Sequence, residues 1–158
     1  MSMNSSIWHS VPVMIQPQTW ACWYTSFRMV VSYERGRGHG AGLIDPSENA
    51  RTQALFTANQ GIGATSTERE EIARLLGFQV MYATLTEEGI WDLLRRSPVI
   101  YAGRWPDQPA GHWVVIKGIS VDTIAINNPA VGSQNFNYRS FLTSYLLQTA
   151  ERPLIYPR

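Results

Sequence analysis

With 158 residues, 44% hydrophobic and 11% aromatic, the chain can bury one ordinary core, in one domain or in two small lobes. Its 13 basic and 12 acidic residues leave a formal charge of +1, which excludes a nucleic-acid binder driven by net charge. A single cysteine, Cys22, excludes an internal disulfide framework and any multi-cysteine zinc site.

No apolar run approaches the ~20 residues of a membrane-spanning helix. Residues 1–10 carry neither a basic stretch nor an apolar one, so synthesis in the cytoplasm without a cleaved signal is expected. The first clear element opens at Trp20 or Ala21, where Trp23, Phe27, Val30 and Val31 recur at helical spacing. It stops in the glycine-rich stretch Gly36 to Gly40. A second helix follows Pro46, runs from Asn49 to Ala58 and ends near Gly61. A third has Thr67 and Glu70 as a capping box, Ile72, Leu75 and Leu76 as its apolar stripe and Gly77 as its stop. Phe78 to Ala83 alternates as a strand does, and Thr86 caps a short fourth helix carrying Ile90, Leu93 and Leu94.

After Pro98 strands dominate: Val99 to Gly103, His112 to Ile119, Thr123 to Ile126 and, more weakly, Gln134 to Tyr138. A short helix at Phe141 to Leu147 and an edge strand at Pro153 to Tyr156 complete the chain. Helices first and strands second predict an α+β domain of two lobes, helical over about 1–77 and β over about 98–158.

Cys22 falls at the start of the first helix. The positive end of the helix and its unspent N–H groups favour a thiolate there, as a nucleophile requires. Taken alone, Cys22 reads more readily as a small buried hydrophobe, as most lone cysteines are. A thiolate mechanism also needs a base that later protonates the leaving group. Of three histidines, His9 lies in an N-terminus expected to fray and His39 in a glycine-rich loop. His112 opens the strand of AGHWVVIKGI, after Gly111, whose missing side chain lets another backbone approach. A hairpin turn at Ser120 to Asp122 places His112 opposite residues 128–132, and Asn128 is the near end of that range. Pro129 ends the ladder there. An Asn amide facing an imidazole can hold its tautomer and ring plane. Gln16, six positions before Cys22, is an amide able to join the Cys22 N–H as an oxyanion donor, with Gln18 as competitor.

Gln16, the Cys22-Trp23 pair at a helix start, Gly111-His112 opening a strand and Asn128 together resemble a papain-like cysteine peptidase. Length, the GHWVV strand and the TWACW segment are most similar to small bacterial C39-like peptidases and the C70 effector proteases. Asn128 departs from the Asp usual in those groups, and no tryptophan follows it as in papain. The resemblance covers roughly residues 11–35 and 98–147. It implies a helical left lobe carrying Cys22 and an antiparallel right-lobe sheet carrying His112 and Asn128, with substrate in the cleft between them. It also implies hydrolysis of peptide or isopeptide bonds through a thioester, with no metal or organic cofactor. Trp23, Trp105, Gly111 and Trp113 are expected to bind substrate, and Gly103 to Gly111 to rim the cleft. The expected role is a bacterial effector or toxin, delivered by a specialised secretion system and held in check by a cognate immunity protein. The same triad logic serves a peptidoglycan amidase, a transglutaminase or acyltransferase, and a non-catalytic binding module.

Overall fold

The computed structural model describes residues 6–58, 66–83, 87–105, 108–141 and 152–158. Chain order is β1 (Ile7–Trp8), α1 (Cys22–Gly36), a 3-10 turn at Pro46–Glu48, α2 (Ala50–Thr57), α3 (Ser66–Leu75), β2 (Phe78–Ala83) and α4 (Glu87–Leu94). β3 (Val99–Trp105), β4 (Gln108–Ile119), β5 (Thr123–Asn128), β6 (Gly132–Asn137), α5 (Tyr138–Phe141) and β7 (Arg152–Pro157) follow. This is the expected α+β domain. One antiparallel sheet runs in the order β2-β7-β3-β4-β5-β6, with β1 added beside β4.

The sheet is apolar on both faces because β3 and β4 are buried from both sides. On β3, Ile100 and Ala102 join one cluster with Trp23, Phe27 and Val31 of α1. Val99 and Tyr101 join the other with Ile90, Trp91 and Leu94 of α4. On β4, Trp113 and Val115 face the first cluster, and Val114 and Ile116 the second. The two-residue alternation of strands accounts for this division, and the unbroken apolar runs are those of strands covered twice. Among the described residues no helix is long and apolar enough to cross a membrane.

Several expectations need correction. Gly103 to Gly111 is largely strand, since β3 continues to Trp105 and β4 begins at Gln108. The third helix starts at Ser66, so Thr67 lies inside its first turn and not at its cap. Gly77 does stop it, at φ +89°, where an added Cβ would sit 2.1 Å from the Gly42 carbonyl oxygen. β7 is not an edge strand, since it lies between β2 and β3. The first strand of the sheet comes from residues assigned to the helical lobe, and β2 from between the lobes. Most of the helix expected at Phe141 to Leu147, the end of the second helix near Gly61 and the Thr86 cap lie outside the described residues.

The N-terminal segment is not frayed. The His9 backbone N–H donates to the Lys117 carbonyl at 2.8 Å, continuing the β1–β4 pairing. Its ring is buried, with Nε2 bonded to the Leu94 carbonyl at the end of α4. A carbonyl only accepts, so the proton sits on Nε2. Nδ1 then accepts from the Tyr33 hydroxyl at 2.8 Å. His9 thus caps the last carbonyl of α4, and Arg37, just after α1, donates to Glu34 and to the carbonyl of Arg96, two residues past that helix. Burial holds the His9 pKa below its ordinary value, against the opposing effect of the Leu94 bond.

The unfolded chain therefore takes up this proton first as the pH falls. The stability due to neutral His9 is present above the ordinary histidine pKa of about 6.5 and is lost below it. His9→Gln keeps an N–H donor but cannot titrate. Its melting temperature should fall less than that of the wild type between about pH 7 and pH 5. Equal slopes in the two proteins would count against this role.

Candidate active site

Cys22 is the first residue of α1. The N-cap position is Ala21, which offers no side-chain acceptor, and no acidic residue stands in the first turn. The N–H groups that a Ser, Thr or Asp cap would occupy are therefore left for another partner. The Cys22 side chain is 8% exposed. Burial pushes its thiol up, while backbone N–H groups of Trp113, Trp23 and Cys22 itself pull the other way. The contact with Trp113 sets the sulfur against the strand residue that follows His112.

His112 is buried on β4, directly across from Gly103 of β3. Its Nε2 lies 2.7 Å from Asn128 Oδ1. The orientation of that amide is decided by its other bonds. The Ala130 backbone N–H donates to Oδ1 at 2.9 Å, and Asn128 Nδ2 donates to Gln134 Oε1 at 3.0 Å. Oδ1 is thus an acceptor from both sides, so the neutral imidazole carries its proton on Nε2 and its basic lone pair on Nδ1.

Pairing of Val115 with Asn127 and of Ile116 with Ile126 sets the register. Successive side chains alternate, so the two asparagines part company. Asn127 is fully buried and turns away from His112. Its Nδ2 donates to the Val11 carbonyl at 3.0 Å and the Pro12 carbonyl at 3.3 Å.

Gln16 is half-buried on the loop into α1. Its backbone N–H donates to the Pro129 carbonyl at 2.8 Å, which ties that loop to the residue after Asn128. Its Nε2 donates to the Thr19 carbonyl at 3.2 Å, while its buried Oε1 has no partner among the described residues. Gln18 is exposed. His39 is exposed too, with Nδ1 3.8 Å from Glu34, and belongs to the far end of α1.

The tryptophans expected to bind substrate are placed otherwise. Trp23 is 0% exposed and Trp113 4% exposed. Both pack in the core, with Trp113 against Phe27 and Trp23 edge-on to Tyr24. Trp105 ends β3 and Gly111 lies within β4, and the expectation for their part in binding falls outside the described side chains.

Sequence reasoning missed Gln134. Carrying the hairpin arithmetic one turn further could have found it. Asn128 faces Gly132, so the next residue on that face of β6 is Gln134. Tyr101 was also missed. Its ring leans over Gly103, where a Cβ would lie 2.5 Å from the hydroxyl, so Gly103 makes room for a buried ring beside the strand position of His112.

The model of the C70 peptidase family, papain-like cysteine protease AvrRpt2, matches residues 5–146. The chain belongs to the C70 peptidases. It is a papain-like cysteine protease. No curated protein matches the sequence. Among solved structures it is similar to a double-glycine-motif protease from an AMS/PCAT transporter, solved with its leader peptide. That likeness has a TM-score of 0.54 and 20% identity, over 96% of this chain and 94% of that one. The peptidase domain of Streptococcus ComA, a bifunctional ABC transporter, matches with a TM-score of 0.59 and 16% identity, over 92% and 98%. UfSP from C. elegans matches at 0.61 and 15% identity, over 98% of this chain but 35% of that one. At such identities these likenesses concern the fold alone.

The adjacent asparagines give a direct test. Asn127→Ala removes a buried donor from two carbonyls and should cost about 1–3 kcal/mol of stability, read by denaturant unfolding, with activity kept in the folded fraction. Asn128→Ala also strands buried partners, at His112, Gln134 and the Ala130 N–H, so it should cost a similar amount of stability and, unlike Asn127→Ala, remove most activity of the folded protein. Activity lost in Asn127→Ala and kept in Asn128→Ala would exchange the two assignments.

Proposed function

We propose that this C70 peptidase hydrolyses peptide or isopeptide bonds with Cys22 as nucleophile, His112 as base and then acid, and Asn128 as the group orienting His112. The Cys22 sulfur attacks the carbonyl carbon while its proton passes to His112 Nδ1. The oxyanion is held by the Cys22 backbone N–H and by Gln16 Nε2, whose second N–H is not used by Thr19. Collapse expels the amine, which takes the proton from His112 and leaves a thioester. Water, deprotonated by His112, attacks the thioester and releases the acid and the free thiol. Every step uses groups of this chain and water.

The observation that carries the reading is the 2.7 Å bond from His112 Nε2 to Asn128, which assigns the basic lone pair to Nδ1. The uncapped start of α1 supports it. Burial holds the Cys22 thiol above its ordinary pKa, so in this reading the proton leaves the sulfur for His112 as the carbon–sulfur bond forms. A peptide substrate is supported by the leader peptide bound to the similar transporter protease. The resemblance to effector proteases supports a role as a secreted bacterial effector or toxin, with delivery by a specialised secretion system and a cognate immunity protein over the site.

Cys22→Ala should abolish hydrolysis without loss of fold, since a small residue at a helix start costs little packing. More than a few per cent of wild-type turnover in a folded Cys22→Ala protein would falsify the mechanism. The raised thiol pKa adds a second readout. In His112→Ala, iodoacetamide labelling of Cys22 at neutral pH should be slower than that of free cysteine and should climb as the pH rises past the ordinary thiol range. Wild type should label faster at neutral pH.

Gln16→Ala should lower turnover by about 10- to 1,000-fold with little change in KM. Gln18→Ala should be mild. Steady-state kinetics of both variants checks the assignment, and a larger loss at Gln18 would move the oxyanion donor there.

A further inference from the structure

Three large apolar side chains stand exposed beside the candidate site. Val13 is 48% exposed, Ile15 56% and Val131 64%. Val13 and Ile15 make a ridge that reaches Gly132, the residue after Val131, and Val131 extends it along the chain. Gly132, buried between them and next to Val131, would carry a Cβ 3.8 Å from Val13 Cγ1 and 4.0 Å from Ile15 Cδ1. The intervening Met14 turns inward onto the core. The ridge stands on the two segments that supply Gln16 and Asn128, which are joined by the bond from the Gln16 N–H to the Pro129 carbonyl. Both segments are held from below, since Asn127 bonds the carbonyls of Val11 and Pro12. Exposed apolar side chains grouped on a rigid support are the signature of a recognition surface.

We infer that the Val13–Ile15–Val131 ridge is a specificity surface of this protease, which seats an apolar side chain of the substrate on the Asn128 side of the scissile bond. The inference rests on the triad reading. A polypeptide running through a site built on Gln16 and Asn128 continues past the residues next to them in the chain. Those residues are Ile15 on one segment and Val131, across the tight Pro129–Ala130 turn, on the other. The ridge has no charged member, so it rewards an apolar side chain and leaves a charged one without a partner.

The test uses a library of proteome-derived peptides with wild type, Cys22→Ala and the triple variant Val13→Ser/Ile15→Ser/Val131→Ser. All three changes are at exposed positions, and circular dichroism checks the fold. Ile15→Lys alone serves as a second, milder variant. Cleavage sites are read by mass spectrometry. The expected result is an apolar residue at a fixed distance from the cut. KM for such peptides should rise about 10-fold or more in the triple variant, with kcat unchanged. Peptides lacking that residue should be cut equally by both proteins. Cleavage with no apolar preference, or with one that the triple variant retains, overturns the inference and leaves the triad standing. Absence of Cys22-dependent cleavage overturns the triad reading instead. The ridge is then judged by peptide retention on immobilised Cys22→Ala protein, with and without the serine changes. Retention lost with those changes supports it, and equal retention overturns it. A dimer in solution that the triple variant dissolves assigns the ridge to contact between copies, against the inference.

Discussion

Val115 faces Asn127 and Ile116 faces Ile126 across the β4–β5 hairpin, and the polar chemistry of the candidate site follows from that registration. Strand side chains alternate, so a slip of one residue would exchange Asn127 for Asn128 and send the amide that holds His112 into the opposite layer. The register is pinned from both faces. Val115 sits in the cluster under α1, and Val114 and Ile116 in the cluster under α4. Moving either set into the other's place would disturb two cores at once, so hydrophobic burial of residues with no chemistry of their own orients the imidazole.

The N-terminal segment is the second arm of the same construction. Between residues 7 and 16 it is fastened to β4, to Asn127 of β5 and to the turn after β5. The bonds are those of the β1 ladder, the His9 N–H, the Asn127 amide and the Gln16 N–H. Only after these attachments does the chain rise into α1 and present Cys22. Cys22 comes from the helical side of the molecule, but the lead-in to its helix is anchored on the sheet that carries His112 and Asn128.

Much of this is legible in the sequence because it is local or arithmetical. Helical spacing of Trp23, Phe27, Val30 and Val31 announces α1, and the alternation in Phe78 to Ala83 announces β2 with the observed ends. The turn at Ser120 to Asp122 brings the end of β5 towards His112, but the register shift between Ile116 and Gly118, which decides between Asn128 and Asn127, cannot be read from the turn. What escaped is long-range. His9 looks unsupported until Tyr33 and Leu94, 24 and 85 positions away, close around it. The place of β7 depends on which strands remain unpaired after the others have formed, which no local pattern records. The resemblance implies a substrate contact at Trp23, which the structure buries in the core. Its spacing from Phe27 already put it on the buried stripe.

The position of β7 bears on how the molecule is made. The last strand pairs with β2 on one side, Phe78 against Pro157, and with β3 on the other, Ile100 against Ile155. A sheet whose interior strand follows the others in the chain cannot close until that strand has left the ribosome. Until then β2 and β3 present open edges and the core face of β3 lacks a neighbour. Contacts across such sequence separations form slowly, and transiently unpaired strand edges invite aggregation. Folding of the sheet is thus postponed until β7 has been made, and a nascent chain already bearing Cys22, His112 and Asn128 remains until then without the completed sheet that supports them.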